Sequence, residues 1–212
     1  RSRQAALGIV VAPGAGFAGL AQEGLAAGMA HFGYRGVAVL VSERGHYSLG
    51  KAADILGIGR RNLVAIQTDA HNRIRVDSLA ARCDQLQSEG IRVMAIVGVA
   101  GSSETGNVDP LNAMADVAQQ RGIHFHVDSA WGGPTLFSRK YRKLLSGIER
   151  ADSVTLDAHK QLYVPMGAGI CVFRRPETLS SVEHHAEYII RKGSKDLGSH
   201  SVEGSRPGMA VL

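Results

Sequence analysis

Arg92-Val93-Met94-Ala95-Ile96-Val97-Gly98-Val99, then Leu111-Asn112-Ala113-Met114-Ala115-Asp116-Val117-Ala118-Gln119-Gln120, then Ile123-His124-Phe125-His126-Val127, spell strand, helix, strand. The first run is short, β-branched and almost wholly apolar, as a strand covered on both faces must be. Asp109-Pro110 offers the second run an N-cap and a preorganised first helical residue, and Gly122 ends it. The same alternation extends outward. Strands are expected over 37–41, 63–67, 153–156 and 169–173, and helices over 48–56 and 77–88, the latter capped by Asp77 and stopped by Gly90. One helix-length segment separates Gly133 from Ala151. Repeated crossovers of this kind make an α/β fold, a mostly parallel sheet with helices on both faces, whose ligands bind beyond the carboxyl ends of the strands.

The chain has 212 residues, 44% hydrophobic and only 5% aromatic. That length buries one sizeable core. We find no internal repeat, low-complexity tract or interdomain linker before about Pro176. No run is long and apolar enough to cross a bilayer, and Arg1-Ser2-Arg3-Gln4 lacks a signal peptide's apolar core, so the expectation is a cytoplasmic protein with no membrane partner. Cys83 shares an apolar helix face with Leu79 and Leu86, and Cys171 lies in the apolar run Ile170-Cys171-Val172-Phe173, which reads as two reduced core thiols. The net charge is +5, but the basic clusters Arg139-Lys140-Tyr141-Arg142-Lys143 and Arg191-Lys192-Gly193-Ser194-Lys195 are short and stand apart. They read as solvated surface in a chain that attracts an anionic small molecule, not as a nucleic-acid footprint.

Chemistry gathers at the predicted strand ends. In residues 123–128 a period of two puts Ile123, Phe125 and Val127 on one face and His124, His126 and Asp128 on the other. His126 is expected to orient the Asp128 carboxylate, and His124 to be packed; a zinc reading of the His-x-His pair lacks further ligands nearby in sequence. Downstream, Val154-Thr155-Leu156-Asp157-Ala158-His159-Lys160 runs from a buried-type strand into a lysine that small residues Gly167-Ala168-Gly169 would keep partly desolvated and nucleophilic. A lysine amine and a carboxylate at neighbouring strand ends are the two groups needed to hold an aldehyde cofactor as a Schiff base and to keep its pyridine nitrogen protonated. Gly14-Ala15-Gly16-Phe17-Ala18-Gly19, after the apolar residues 7–11 and with Glu43 ending a later strand, has the form of a dinucleotide fingerprint and carries the competing reading, a nicotinamide-dependent oxidoreductase.

These motifs closely resemble the group II pyridoxal-phosphate-dependent amino-acid decarboxylases, the family that includes glutamate, aromatic amino-acid and diaminobutyrate decarboxylases. The resemblance runs from about Val37 to Gly204-Ser205-Arg206-Pro207-Gly208. It is carried by residues 126–133 and 151–160, by Ser42-Glu43-Arg44-Gly45-His46-Tyr47-Ser48 with Lys51-Ala52-Ala53-Asp54-Ile55-Leu56-Gly57-Ile58-Gly59, and by Val99-Ala100-Gly101-Ser102-Ser103-Glu104-Thr105-Gly106 followed by Asp109-Pro110-Leu111. With Tyr188-Ile189-Ile190-Arg191-Lys192-Gly193-Ser194, the pattern is most similar to the bacterial members that decarboxylate aspartate to β-alanine.

The resemblance implies a fold type I large domain, pyridoxal 5'-phosphate as cofactor, α-decarboxylation of a small amino-acid substrate, and a homodimer. It implies catalytic roles for Lys160 (attachment to the aldehyde), Asp128 (pairing with the pyridine nitrogen) and His46 (stacking on the ring). Ala130 would pack on the opposite ring face, Ser103 would sit near the ring hydroxyl, and His159 would reach the phosphate or the substrate carboxylate. Asp157 has no evident place, since a carboxylate is repelled by a phosphate. Residues 1–36 are a weakly matched lead-in, 37–175 the core and 176–212 an exit segment, with the family's phosphate loop expected before Arg1 and its C-terminal domain after Leu212. Tyr188 does not match the mobile-loop tyrosine that supplies a proton in this family. Glutamate or 2,4-diaminobutyrate as substrate, and a non-catalytic remnant, are the further alternatives.

Overall fold

The computed structural model describes residues 20–165 and 169–178 and the single positions 183 and 193. Among them, β1 (Gly36–Ser42), β2 (Leu63–Ile66), β3 (Ile91–Val99), β4 (His124–Asp128), β5 (Ser153–Asp157) and β6 (Gly169–Phe173) form one sheet in the order β2-β1-β3-β4-β5-β6. β1 to β5 are parallel, and β6 returns antiparallel to β5. The helices are α1 (Leu20–Phe32), α2 (Ser48–Ile55), α3 (Val76–Ser88) and α4 (Leu111–Gln120). None is long and apolar enough to cross a membrane.

The two faces of the sheet carry separate cores. Leu79, Cys83 and Leu86 of α3 and Leu111, Met114 and Ala118 of α4 pack on Leu40, Ile96, Phe125 and Val127. Leu49, Ala52 and Ala53 of α2 pack on the other face, against Val39, Val41, Ala95 and Val97, with Leu25 and Met29 of α1 beside them. Helices on both faces explain why β1 and β3 are almost wholly apolar, Ser42 and Arg92 apart. The chain winds from β1 outward to β2, then back across β1 to β3 and on to β4 and β5 in the opposite direction. Winding therefore reverses between β1 and β3, the place where an open α/β sheet leaves a crevice beyond its strand ends.

Three local expectations are corrected, those on Asp109, Asp77 and Cys171. The helix-length segment from Gly133 to Ala151 carries three short 3-10 turns, Gly133–Phe137, Arg142–Leu145 and Ile148–Arg150. Pro134 removes a backbone donor there, and Gly147 adopts φ 101°, a left-handed conformation that ends any continuous helix. Asp109 does not cap α4, whose N-cap is Pro110 without a side-chain bond. Its buried carboxylate accepts the Ile74 and Val99 N–H groups, each at 2.8 Å, and so ties the start of the α3 segment to the end of β3. Burial pushes its pKa up to about 6 despite those two donors. Asp77 lies in the first turn of α3, paired with Arg75 at 2.8 Å, and Arg75 is the N-cap. Cys83 is buried as expected, whereas Cys171 is half-buried on β6.

Candidate active site

At the reversal point a cavity of about 190 Å³ opens between residues 44–47 after β1 and residues 99–104 after β3, with Asp128 at the end of β4 in its wall. A larger cavity, about 460 Å³, lies around His124 at the opposite, amino end of β4, beside Asp152, Arg174 and Arg175. The smaller one is lined by three residues singled out in the sequence, His46, Ser103 and Asp128. Two glycines let its walls close. A Cβ on Gly132 would stand 2.3 Å from the Ala100 carbonyl oxygen, and one on Gly101, at φ 84°, 2.7 Å from Gly132 Cα. Backbone thus touches backbone where the loops after β3 and β4 cross, a contact no side chain would permit.

His46, Ser103 and Asp128 line this cavity together. His46 Nδ1 accepts the Ser48 N–H at 3.2 Å and lies 2.8 Å from Ser48 Oγ, which fixes the ring's orientation and leaves its other nitrogen as the donor. Tyr47 lies against the ring, centroids 4.2 Å apart. Ser103 is exposed at the rim, and the neighbouring Ser102 hydroxyl is engaged with Thr105 at 2.9 Å. Asp128 is almost fully buried, and its Oδ1 accepts the Ala130 N–H at 3.1 Å. Ala130 is fully buried beside it.

Lys160 and His159 follow β5 and are not part of the cavity wall. They nevertheless belong to the same side of the sheet as Asp128. The register pairs His126 with Ser153 and Asp128 with Thr155, so Ser153, Thr155 and Asp157 share the face of His124, His126 and Asp128. The Lys160 side chain, 15% exposed, forms an ion pair with Asp157 Oδ2, and His159 Nε2 lies 3.9 Å from the same oxygen. Asp157 itself is completely buried. The sequence reading found no role for it, although the three-residue spacing of Asp157 and Lys160 after a strand end was the signal available.

Between the two ends runs a polar ladder. Ser153 Oγ is 2.8 Å from both His124 Nε2 and His126 Nδ1, and Thr155 Oγ1 is 3.0 Å from His126 Nε2. Both His126 nitrogens are therefore satisfied by β5 hydroxyls. This corrects the expectation that His126 hydrogen-bonds the Asp128 carboxylate: the side chains of adjacent strands meet sideways, while residues 126 and 128 are two steps apart along one strand. Burial lowers the pKa of His124 and drives that of His126 down to about 4, so both rings are neutral at pH 7. A neutral ring donates from one nitrogen and accepts at the other, which matches two hydroxyl partners.

Among the described residues no cluster of metal-ligating side chains occurs. The glycines at 14, 16 and 19, the Gly167-Ala168 pair and Tyr188 lie outside the described residues. Glu43, the acid of the dinucleotide reading, accepts the Thr68 N–H at 2.9 Å and also its hydroxyl, so it joins the ends of β1 and β2.

Residues 25–211 match the pyridoxal-dependent decarboxylase conserved domain. The chain is 59% identical over 200 residues to an aspartate 1-decarboxylase of Aliivibrio fischeri, covering 94% of this chain and 37% of that protein. It is 38% identical to an L-2,4-diaminobutyrate decarboxylase of Rhizobium meliloti, over 71% of this chain and 30% of that one. The crystal structure of mouse CSAD superposes with a TM-score of 0.87 at 30% identity, over 97% of this chain and 42% of its own. The chain thus spans well under half the length of these relatives. On the domain match, the sequence identities and the shared fold, it belongs to the pyridoxal-dependent decarboxylase family.

Proposed function

We propose that this chain carries the cofactor-binding core of a pyridoxal-phosphate-dependent amino-acid α-decarboxylase acting on L-aspartate to give β-alanine and carbon dioxide. The observation that carries the reading is the pairing of Asp128, a buried carboxylate in a cavity wall, with Lys160 beyond the adjacent strand end on the same face of the sheet. The donor set suits the cofactor. A carboxylate accepts from a pyridinium N–H, a partly buried amine attaches to an aldehyde, and an oriented imidazole gives a flat surface for a ring. When bound, the cofactor supplies an electron sink that stabilises the carbanion left by loss of carbon dioxide.

The chain's own residues then have these tasks. Asp128, held by the Ala130 N–H, would keep a proton on the pyridine nitrogen. His46, locked by Ser48, would pack on one ring face and Ala130, with its single methyl, on the other. Ser103 would donate near the ring hydroxyl, His159 would reach the phosphate or the substrate carboxylate, and Lys160 would hold the aldehyde. Aspartate is preferred because the relative named aspartate 1-decarboxylase is 59% identical over nearly the whole chain.

A homodimer fits the exposed Phe137, Tyr141 and Leu144 on two turns packed together, an apolar patch suited to a second copy. The buried thiol of Cys83 and the half-buried one of Cys171, neither in a disulfide, suit the cytoplasm.

The test is carbon dioxide release from aspartate, glutamate and 2,4-diaminobutyrate by the protein extended to the length of its relatives, with Asp128→Asn alongside. Aspartate should be turned over fastest, and Asp128→Asn should still take up the cofactor yet lose nearly all turnover. Preference for another amino acid reassigns the substrate. Full turnover in Asp128→Asn refutes the electron-sink pairing, and no turnover of any substrate supports a non-catalytic remnant.

A further inference from the structure

Asp157 closes β5 with a carboxylate that is completely buried, on a face it shares with the Ser153 and Thr155 hydroxyls, the His124 and His126 imidazoles and the Asp128 carboxylate. A buried carboxylate is retained only when a cation or several donors compensate the loss of water. Two side chains converge on its Oδ2. Lys160 Nζ is in direct contact, and His159 Nε2 is 3.9 Å away. The backbone reinforces this. Lys160 N–H donates to the Asp157 carbonyl at 3.3 Å, and Val164 N–H donates to the Ala158 carbonyl at 3.2 Å, so the chain folds back over the strand end and returns the lysine onto the acid three residues earlier.

We propose that Asp157 is a positioning residue for Lys160: it anchors the free amine at the end of β5, on the face that carries Asp128, and so sets where that amine can react. This rests on the reading of Lys160 as the attachment residue only for its catalytic meaning; the anchoring itself is independent of the cofactor. A lysine on four rotatable carbons would otherwise sweep a wide volume. Fastened to a strand-end carboxylate, it is presented at a fixed place.

The experiment follows the rate of amine acylation of each lysine at one fixed pH by peptide mass mapping, in the absence of pyridoxal phosphate. Lys51, Lys140 and Lys143 serve as internal references. In Asp157→Asn the acylation rate of Lys160 should rise several-fold toward that of the references, because the amine is no longer held at the buried acid, while the references stay put. In Asp157→Glu, which keeps the carboxylate, it should remain close to the parent. An unchanged Lys160 rate in Asp157→Asn overturns the proposal, as does a change shared by the reference lysines.

Should Asp157→Asn fail to fold, Lys160→Gln probes the pair from the other side. The carboxyl-carbon NMR resonance of Asp157 should then move from its position in the parent at the same pH, because its partner is gone, and an unchanged resonance overturns the proposal. Because no cofactor is present, a positive result survives even if the aldehyde attaches elsewhere, and failure here leaves the assignment of Lys160 to be judged by its own labelling.

Discussion

Acidification sets His126 against Asp109. His126 is fully buried between Ser153 and Thr155, and burial holds its pKa down at about 4 against 6.5 in an unfolded chain. Below pH 6.5 the unfolded chain takes a proton that the folded one refuses. The stability this ring contributes is thus fully present above about 6.5 and lost as pH falls toward 4, a loss of about 3 kcal/mol. Asp109 acts with the opposite sign. Its folded pKa is raised to about 6 from 3.8, so the folded carboxyl is protonated first, and stability rises as pH falls from about 6 to 3.8. That gain is also about 3 kcal/mol. The two contributions nearly cancel in the parent. His124, lowered by burial in the same direction as His126, is common to every variant compared.

His126→Gln removes only the first contribution and Asp109→Asn only the second. Urea unfolding followed through Trp131, the single tryptophan, at about pH 7, 5.5 and 4 gives the change in stability on acidification for each protein. Relative to the parent, His126→Gln should become more stable toward acid by about 3 kcal/mol, and Asp109→Asn less stable by a similar amount. Absolute losses from altered hydrogen bonds cancel, because each protein is compared with itself at neutral pH. If all three proteins show parallel pH dependence, burial does not perturb these groups as described and the reasoning fails.

Two glycine substitutions should separate crowding from conformational freedom. Gly132→Ala places a Cβ 2.3 Å from the Ala100 carbonyl oxygen, which is backbone and cannot rotate aside. It should cost about 1–3 kcal/mol in urea unfolding and weaken pyridoxal phosphate uptake, since the loop carrying Ser103 must move. Gly50→Ala, within α2 and with nothing near its added Cβ, should instead stabilise by about 0.5–1 kcal/mol. Equal effects at the two positions would contradict the close crossing of the loops.

What could be read in the sequence was what depends on periodicity and on strand ends. The alternation in residues 123–128 puts His124, His126 and Asp128 on one face, and Ser103 and Asp128, both expected at strand ends, line one crevice with His46. What escaped were interactions across strands. Nothing in linear order says that His126 spends both nitrogens on Ser153 and Thr155, because that depends on the register of β4 against β5. Asp109 in front of a helix has the look of an N-cap, yet its carboxylate binds two N–H groups 35 and 10 residues away in sequence. Asp157 was set aside as a charge that would repel phosphate, whereas the fold turns it into the partner of Lys160. The contact of Gly101 with Gly132 is likewise visible only once two loops are brought together.

The central claim is that Lys160 attaches to pyridoxal phosphate beside Asp128. The most direct measurement treats the protein with pyridoxal phosphate, reduces it with borohydride and maps the pyridoxyl group by peptide mass. The account predicts one modified lysine, Lys160, and loss of the label in Lys160→Ala. A label spread over surface lysines such as Lys140 and Lys143, and undiminished in Lys160→Ala, would contradict it.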